Sequence, residues 1–148
     1  MAWAGVKCRQ IKLHPVYMIG LLIVAHGTLG ESLLECATYV MGSPPPNLLA
    51  LDVRDCSNTG EIVAVARAQL AKLEAGDGVL VLADIYGATP CNTLCQLIEP
   101  GRVELVAGVN LPMLLKVLTY RNDPLPALAE RALQGGHDGI FQVTHCHA

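Results

Sequence analysis

Apolar residues come along this chain in four short blocks, each bounded by glycine, proline or a polar residue, and between the blocks they recur at helical spacing. The first block, Ile19 to Ala25, is aliphatic and stops at His26-Gly27. A run so short, rich in branched residues and closed by glycine, predicts a strand buried on both faces. Leu48 to Val53, Val79 to Ala83 and Val103 to Ala107 repeat the pattern. Between about Glu31 and Met41, Leu33, Leu34, Ala37, Tyr39 and Val40 make an apolar stripe, and Gly42 with Ser43-Pro44-Pro45-Pro46 stops that helix. After a polar loop over 54–60, with Thr59 as candidate cap, Ile62, Val65, Ala66, Leu70 and Leu73 give a second helix over about 61–73, interrupted by polar Gln69. A third starts near Thr89-Pro90, with proline where no helical N–H is needed. Asn110-Leu111-Pro112 opens a fourth that ends near Tyr120, and 124–133 form a fifth, closed by Gly135-Gly136. Gly76-Asp77-Gly78 and Pro100-Gly101 are turns into strands, and Ile140 to Thr144 alternates enough to predict a last edge strand.

Strands alternating with helices predict an α/β fold: an open, mostly parallel sheet covered by helices on both faces. Right-handed crossovers put every parallel strand's carboxyl end on one rim. In a sheet of order 2-1-3-4 the first and third strands are neighbours, and ligands bind where the order reverses. A length of 148 residues suits one domain with a real core. The domain is assigned to 18–148, because Met18 immediately precedes the first strand; Met1 to Tyr17 is set aside as a leader or an overcalled start.

Composition narrows the function. Hydrophobic residues are 52% of the chain, charged ones 16% and aromatic ones 4%, as expected for a sheet covered on both sides. The net charge is -3 with no basic cluster, which argues against nucleic acid as a partner. No apolar run approaches the roughly 20 residues that would cross a bilayer, so no direct membrane insertion is expected. Lys7, Arg9 and Lys12 ahead of Met18–Ala25 suggest a signal peptide. The run is short, however, and His26-Gly27 stands where a small-residue cleavage site belongs. A cytoplasmic protein is expected. Its six cysteines, at 8, 36, 56, 91, 95 and 146, lack Cys-x-x-Cys spacing and should be reduced. Cys91 and Cys95, one helical turn apart, read as small apolar helix residues. His145-Cys146-His147 offers soft ligands for zinc or copper, but neighbouring residues rarely close a tetrahedral site alone. It reads as a surface tail, and His14 and His137 as solvated loop residues. No metal and no cofactor is expected.

The chemistry gathers at two strand ends. His26 ends the first strand and Asp84 the third. A carboxylate that accepts from one ring N–H fixes the tautomer and leaves the other nitrogen's lone pair free. That nitrogen is then an oriented nucleophile, and the carboxylate stabilises the ring once it becomes positive. Gly87 permits a tight turn after Asp84, and Thr89 brings a hydroxyl to a helix mouth, where free N–H groups favour an anion. Gly27 and Thr28 would add donors before the first helix. A histidine nucleophile between two anion-holding turns points to phosphoryl transfer, in which positioning and electrostatics do most of the catalysis. Each residue also has a plain structural reading. His26 could be a hydrogen-bonded loop residue, Asp84 a turn or cap residue, and Thr89 a cap.

Three motifs carry a resemblance: Ile23-Val24-Ala25-His26-Gly27, then Gly78 through Asp84-Ile85-Tyr86-Gly87-Ala88-Thr89-Pro90-Cys91-Asn92, then Ala107-Gly108-Val109-Asn110-Leu111-Pro112-Met113-Leu114. In that order they resemble the mannose/fructose-type IIA component of the bacterial phosphoenolpyruvate-dependent sugar phosphotransferase system, from Met18 to about Val143. The resemblance implies that His26 is phosphorylated by the phosphocarrier protein HPr and passes the group to a IIB component. It implies that Asp84 orients His26 and that Thr89 helps hold the phosphoryl group. It also implies a homodimer that exchanges an edge strand, here Gly139 to Thr144, with Gly135-Gly136 as a candidate hinge. Tyr86 stands where the family usually has an aromatic such as Trp, a position suited to partner contact. Gly87-Ala88-Thr89-Pro90 replaces the usual Gly-Gly-Ser-Pro and keeps the hydroxyl. With no IIB sequence following, the acceptor is expected to be a separate protein. A stand-alone regulatory module, whose phosphorylation state controls partner binding, stays open within the same fold. So does the phosphodonor subunit of a dihydroxyacetone kinase, although that family lacks the Gly-x-Thr/Ser-Pro turn.

Overall fold

The computed structural model of the chain describes residues 16–145. Four strands, β1 (Gly20–Ala25), β2 (Leu48–Asp52), β3 (Val79–Ala83) and β4 (Val103–Ala107), alternate with α1 (Leu29–Met41), α2 (Thr59–Leu73), α3 (Thr89–Leu94), α4 (Leu111–Thr119) and α5 (Leu125–Asp138). The sheet is parallel throughout, in the order β2-β1-β3-β4. Every residue of β1 and β3 is buried, as two-sided coverage requires. Leu21, Ile23, Leu80 and Leu82 pack with Leu33 and Ala37 of α1, Leu114 and Val117 of α4, and Leu128 and Ala132 of α5. On the opposite face Leu22, Val24, Val79 and Val81 meet Ile62, Ala66, Leu70 and Leu73 of α2 and Leu94 of α3. A fully buried Leu or Ile contributes about 1.5–3 kcal/mol, so these two layers hold the rim in place. Among the described residues no helix is long and apolar enough to cross a membrane.

Local capping departs from the expectation in one place. Asn58, not Thr59, caps α2: its side chain accepts from Glu61 N–H at 2.9 Å, and Glu61 Oε2 accepts from Ser57 N–H at 2.6 Å. At α4, Asn110 caps as expected, accepting from Met113 N–H at 2.9 Å, and donates to the Gly136 carbonyl at 3.2 Å.

The C-terminal region corrects three expectations. Gly135-Gly136 do not close α5, which runs on to Asp138. A Cβ on Gly135 would stand 2.5 Å from Lys116 Cβ, and one on Gly136 would meet Met113 Cε at 2.8 Å. These glycines let α5 lie directly on α4, and that packing outweighs their low helix propensity. They are not a hinge between elements. His137 is exposed, but on the last turn of α5 rather than in a loop. Ile140–Thr144 forms no strand within the single chain, although β4 is an outer strand whose edge could pair with one. Of the tail motif, Cys146 and His147 lie outside the described residues, as do Cys8, His14 and most of the 1–17 leader.

Candidate functional site

β1 and β3 are neighbours, with Val24 paired to Ala83, so His26 and Asp84, each the next polar residue on its chain, come together. His26 Nδ1 lies 2.8 Å from Asp84 Oδ2, and the same oxygen accepts from His26 N–H at 2.9 Å. Asp84 Oδ1 accepts from Ile85 N–H at 2.8 Å. The carboxylate is thus fixed at both oxygens before the imidazole is considered. Its side chain is 16% exposed and that of His26 45%. Burial alone would push the Asp84 carboxyl up. Hydrogen bonds from the His26 N–H and ring, the ring's charge and the Ile85 N–H overcome that and hold it below the usual carboxylate range. An ionised Asp84 keeps the proton on Nδ1 and presents Nε2 as the free nitrogen.

A second carboxylate flanks the same turn from the other side. Ala25 pairs with Asp52 at the end of β2, and Asp52 Oδ1 accepts from Gly27 N–H at 2.8 Å and from Arg54 N–H at 2.9 Å. The Arg54 guanidinium closes on the carboxylate through Nη2, 2.9 Å from Oδ2, and Nε, 3.2 Å from it. The Arg54 side-chain hydrogen bonds, then its backbone N–H and that of Gly27, lower the Asp52 carboxyl to about 2. Gly27 has φ +66°, and a Cβ there would fall 3.1 Å from Arg54 Cζ. Glycine therefore meets two needs: a left-handed backbone and room for the guanidinium.

The remaining expected residues lie around this pair. Gly27 N–H is engaged by Asp52. Thr28 is exposed where α1 begins, and its carbonyl accepts from Ser32 N–H at 2.8 Å. Gly87 lies in the turn after Asp84, and Thr89 opens α3, exposed, its carbonyl accepting from Thr93 Oγ1 at 2.8 Å. Tyr86 is 76% exposed and Ile85 54%, an apolar pair beside Asp84. Cys91 is buried behind this turn, and burial pushes its thiol up, which keeps it protonated and inert. Among the described residues no group of three or more His, Cys, Asp or Glu side chains could hold a metal. Sequence reasoning passed over Asp52 and Arg54. For Asp52 a signal was present, a lone carboxylate near the end of the second aliphatic block, as His26 and Asp84 follow theirs; in the structure it is the last residue of β2.

The arrangement offers an oriented imidazole on an open rim, backed by one carboxylate and bordered by an ion pair. Known proteins share its setting. The family model described as the fructose IIA component of the phosphotransferase system (PTS) matches residues 20–132. The mannose-specific EIIAB component of Escherichia coli (strain K12) is 33% identical over 125 residues, 82% of this chain and 38% of that protein. The chain thus spans well under half of that relative's length. The fructose-specific EIIA component of Bacillus subtilis (strain 168) is 33% identical over 105 residues, 70% of this chain and 71% of that protein. In fold, the chain is similar to the mannose/sorbose specific IIA subunit from Enterococcus faecalis, with TM-score 0.74 and 24% identity over 89% of this chain and 99% of that one. A phosphotransferase system EIIA from Streptococcus agalactiae has TM-score 0.73 and 21% identity over 84% and 97%.

Proposed function

Because the chain belongs to the mannose/fructose-type IIA family of the sugar phosphotransferase system, we propose that it is a phosphocarrier whose His26 accepts a phosphoryl group from phospho-HPr and passes it to a IIB component. The observation that carries this reading is the 2.8 Å contact of His26 Nδ1 with Asp84 Oδ2. It leaves Nε2 as the nucleophile. In the forward step the Nε2 lone pair forms a new N–P bond as the donor's N–P bond breaks, and that electron pair returns to the donor's imidazole. Positive charge grows on the His26 ring and is stabilised by ionised Asp84. The second step is the same displacement with phosphorylated His26 as leaving group and a IIB histidine or cysteine as nucleophile. Thr28, Gly87 and Thr89 border the place of the phosphoryl oxygens, and exposed Tyr86 offers an apolar contact to either partner. The reading is of a cytoplasmic protein, where HPr works.

A homodimer belongs to the same reading. β4 is an outer strand of the sheet. Beside its end a cleft of about 200 Å³ is lined by Ala107, Gly108, Met113 and Ile140. The next residues keep Phe141 74% and Val143 63% exposed. A second copy's 139–144 segment, added as a strand along β4, would cover apolar surface that a lone chain leaves in water.

The test is to incubate the protein with phosphoenolpyruvate, enzyme I and HPr and to map acid-labile phosphate. Label on His26 that vanishes in His26→Ala is the expected result. A chain that takes no label, or a variant that takes as much, ends the reading.

A further inference from the structure

Apart from His26 itself, the loops that follow the four strands hold one basic residue, Arg54. It is fixed at the turn that carries His26. Asp52 grips its Nε and Nη2, and Gly27 gives its guanidinium room over the backbone. A guanidinium has five N–H donors, and this grip uses one on each of two nitrogens. The three others have no protein acceptor among the described residues, and the side chain is 63% exposed. The site also holds two ionised carboxylates, Asp52 and Asp84, on either side of His26. A phosphoryl group arriving there brings about two more negative charges at neutral pH, with no cation but Arg54 among those loops to offset them. An exposed ion pair alone contributes little to folding, so stability gives no strong reason for the clamp. A pre-set guanidinium beside a transferring phosphoryl group does have a use, since planar, fork-shaped donors fit its oxygens.

We infer that Arg54, held over Gly27 by Asp52, is a further phosphoryl-binding residue, which donates from its free edge to the oxygens of the group on His26. Asp52 is its positioning residue, aiming the guanidinium while tying the Gly27 turn to β2. This deepens the phosphocarrier reading and rests on it.

The experiment uses the full chain labelled in two ways: by phosphoenolpyruvate, enzyme I and HPr, and chemically by phosphoramidate, which phosphorylates histidine without any partner. The unmodified chain, Arg54→Gln and Arg54→Lys are compared by single-turnover labelling rate, by a ³¹P NMR pH titration of the phosphohistidine and by thermal melting. The expected result for R54Q is labelling by phospho-HPr at least about tenfold slower, with R54K between. Its phosphoryl proton should leave at higher pH than in the unmodified chain, with the melting midpoint unchanged. That titration moves only if the guanidinium reaches the phosphoryl oxygens; a salt bridge serving the fold alone would leave it in place. An R54Q chain with the unmodified rate and ³¹P titration overturns the role of Arg54 while leaving the phosphocarrier reading intact. An unmodified chain labelled by phosphoramidate but not by phospho-HPr removes the phosphocarrier reading, and the ³¹P titration then still decides whether Arg54 reaches the phosphoryl group.

Discussion

Strand β1 has a polar side chain fixed near each of its ends, and the two are secured in opposite ways. At the carboxyl end His26 is half exposed and leans on Asp84, with Arg54 and Asp52 alongside; these partners are ionic and several of their donors are free. At the amino end the Ile19 carbonyl accepts from Arg121 Nε at 2.9 Å. The same guanidinium donates to the Pro46 carbonyl and, at 2.6 Å, to that of Asn47. Arg121 is 7% exposed, and burial lowers its pKa to about 10. Neutral carbonyls satisfy a buried cation without reacting with it, so that cluster stitches the start of β1 to the approach of β2. The rim is accessible and its charges face each other across an open turn. Partner chemistry and exposure, more than charge itself, separate a site that can react from one that only holds.

The sharpest way to break this contrast is at Asp84. Asp84→Asn keeps the size of the side chain but removes the charge that fixes the Nδ1 proton and stabilises the positive ring. Labelling by phospho-HPr should slow by about 10²–10⁴-fold, by analogy with the loss of the orienting carboxylate in histidine-dependent hydrolases, with little change in folding. A D84N chain that labels within a factor of about three would show that His26 needs no orienting carboxylate, and the rim would then differ from the amino end only in exposure.

The mirror experiment is Arg121→Met. It takes the guanidinium away from three carbonyls, of which that of Asn47 keeps the Leu21 N–H at 3.0 Å, and the expected cost is about 3 kcal/mol, read from urea midpoints. Labelling per folded molecule should stay the same. Should R121M melt normally and label slowly, the amino end would be part of the functional apparatus after all.

How much of this contrast could be read from the chain alone follows from how local each feature is. His26 and Asp84 were legible because each stops an aliphatic block, and the alternation of blocks and helices implied a parallel sheet with one rim. Arg54 was not. It reads as one polar residue in a loop, and its place at the His26 turn depends on β2 lying beside β1 and on position 27 lacking a side chain. Arg121 sits in the polar stretch Tyr120-Arg121-Asn122-Asp123, where nothing local announces burial. The glycines of α5 misled for the opposite reason. Read locally, Gly135-Gly136 is a helix stop, whereas contact with Lys116 and Met113 on another helix makes it a packing requirement. Gly135→Ala should therefore lower stability by about 1–3 kcal/mol, the usual range for forcing extra atoms into a packed contact. Gly42→Ala meets nothing within 4 Å, so any loss there comes from its left-handed φ of +83° and not from crowding. Labelling should be unaffected in both. An unchanged melting midpoint with Ala at 135 would mean that α5 does not press on α4 as closely as the backbone implies.

The smallest expected effect separates the two ends of β1 by pH. Asp52, at about 2, and Asp84, also lowered, have folded pKa values beneath the unfolded carboxylate value of about 3.9. Groups of this kind contribute stability that is fully present above the unfolded value and is lost as pH falls through the folded one. The rim should therefore weaken between about pH 4 and pH 2. Arg121, at about 10, stays charged across that window and has no acid partner among the described residues, so its contribution should be flat there. Urea midpoints measured from pH 2 to pH 6 on the unmodified chain, a D52N/D84N double variant and R121M would separate the two. The double variant should show a shallower acid slope than the unmodified chain, and R121M a constant offset from it. If R121M instead changed the slope and D52N/D84N did not, the acid-sensitive charges would lie at the amino end of β1, and the division between a holding cluster and a reacting one would be reversed.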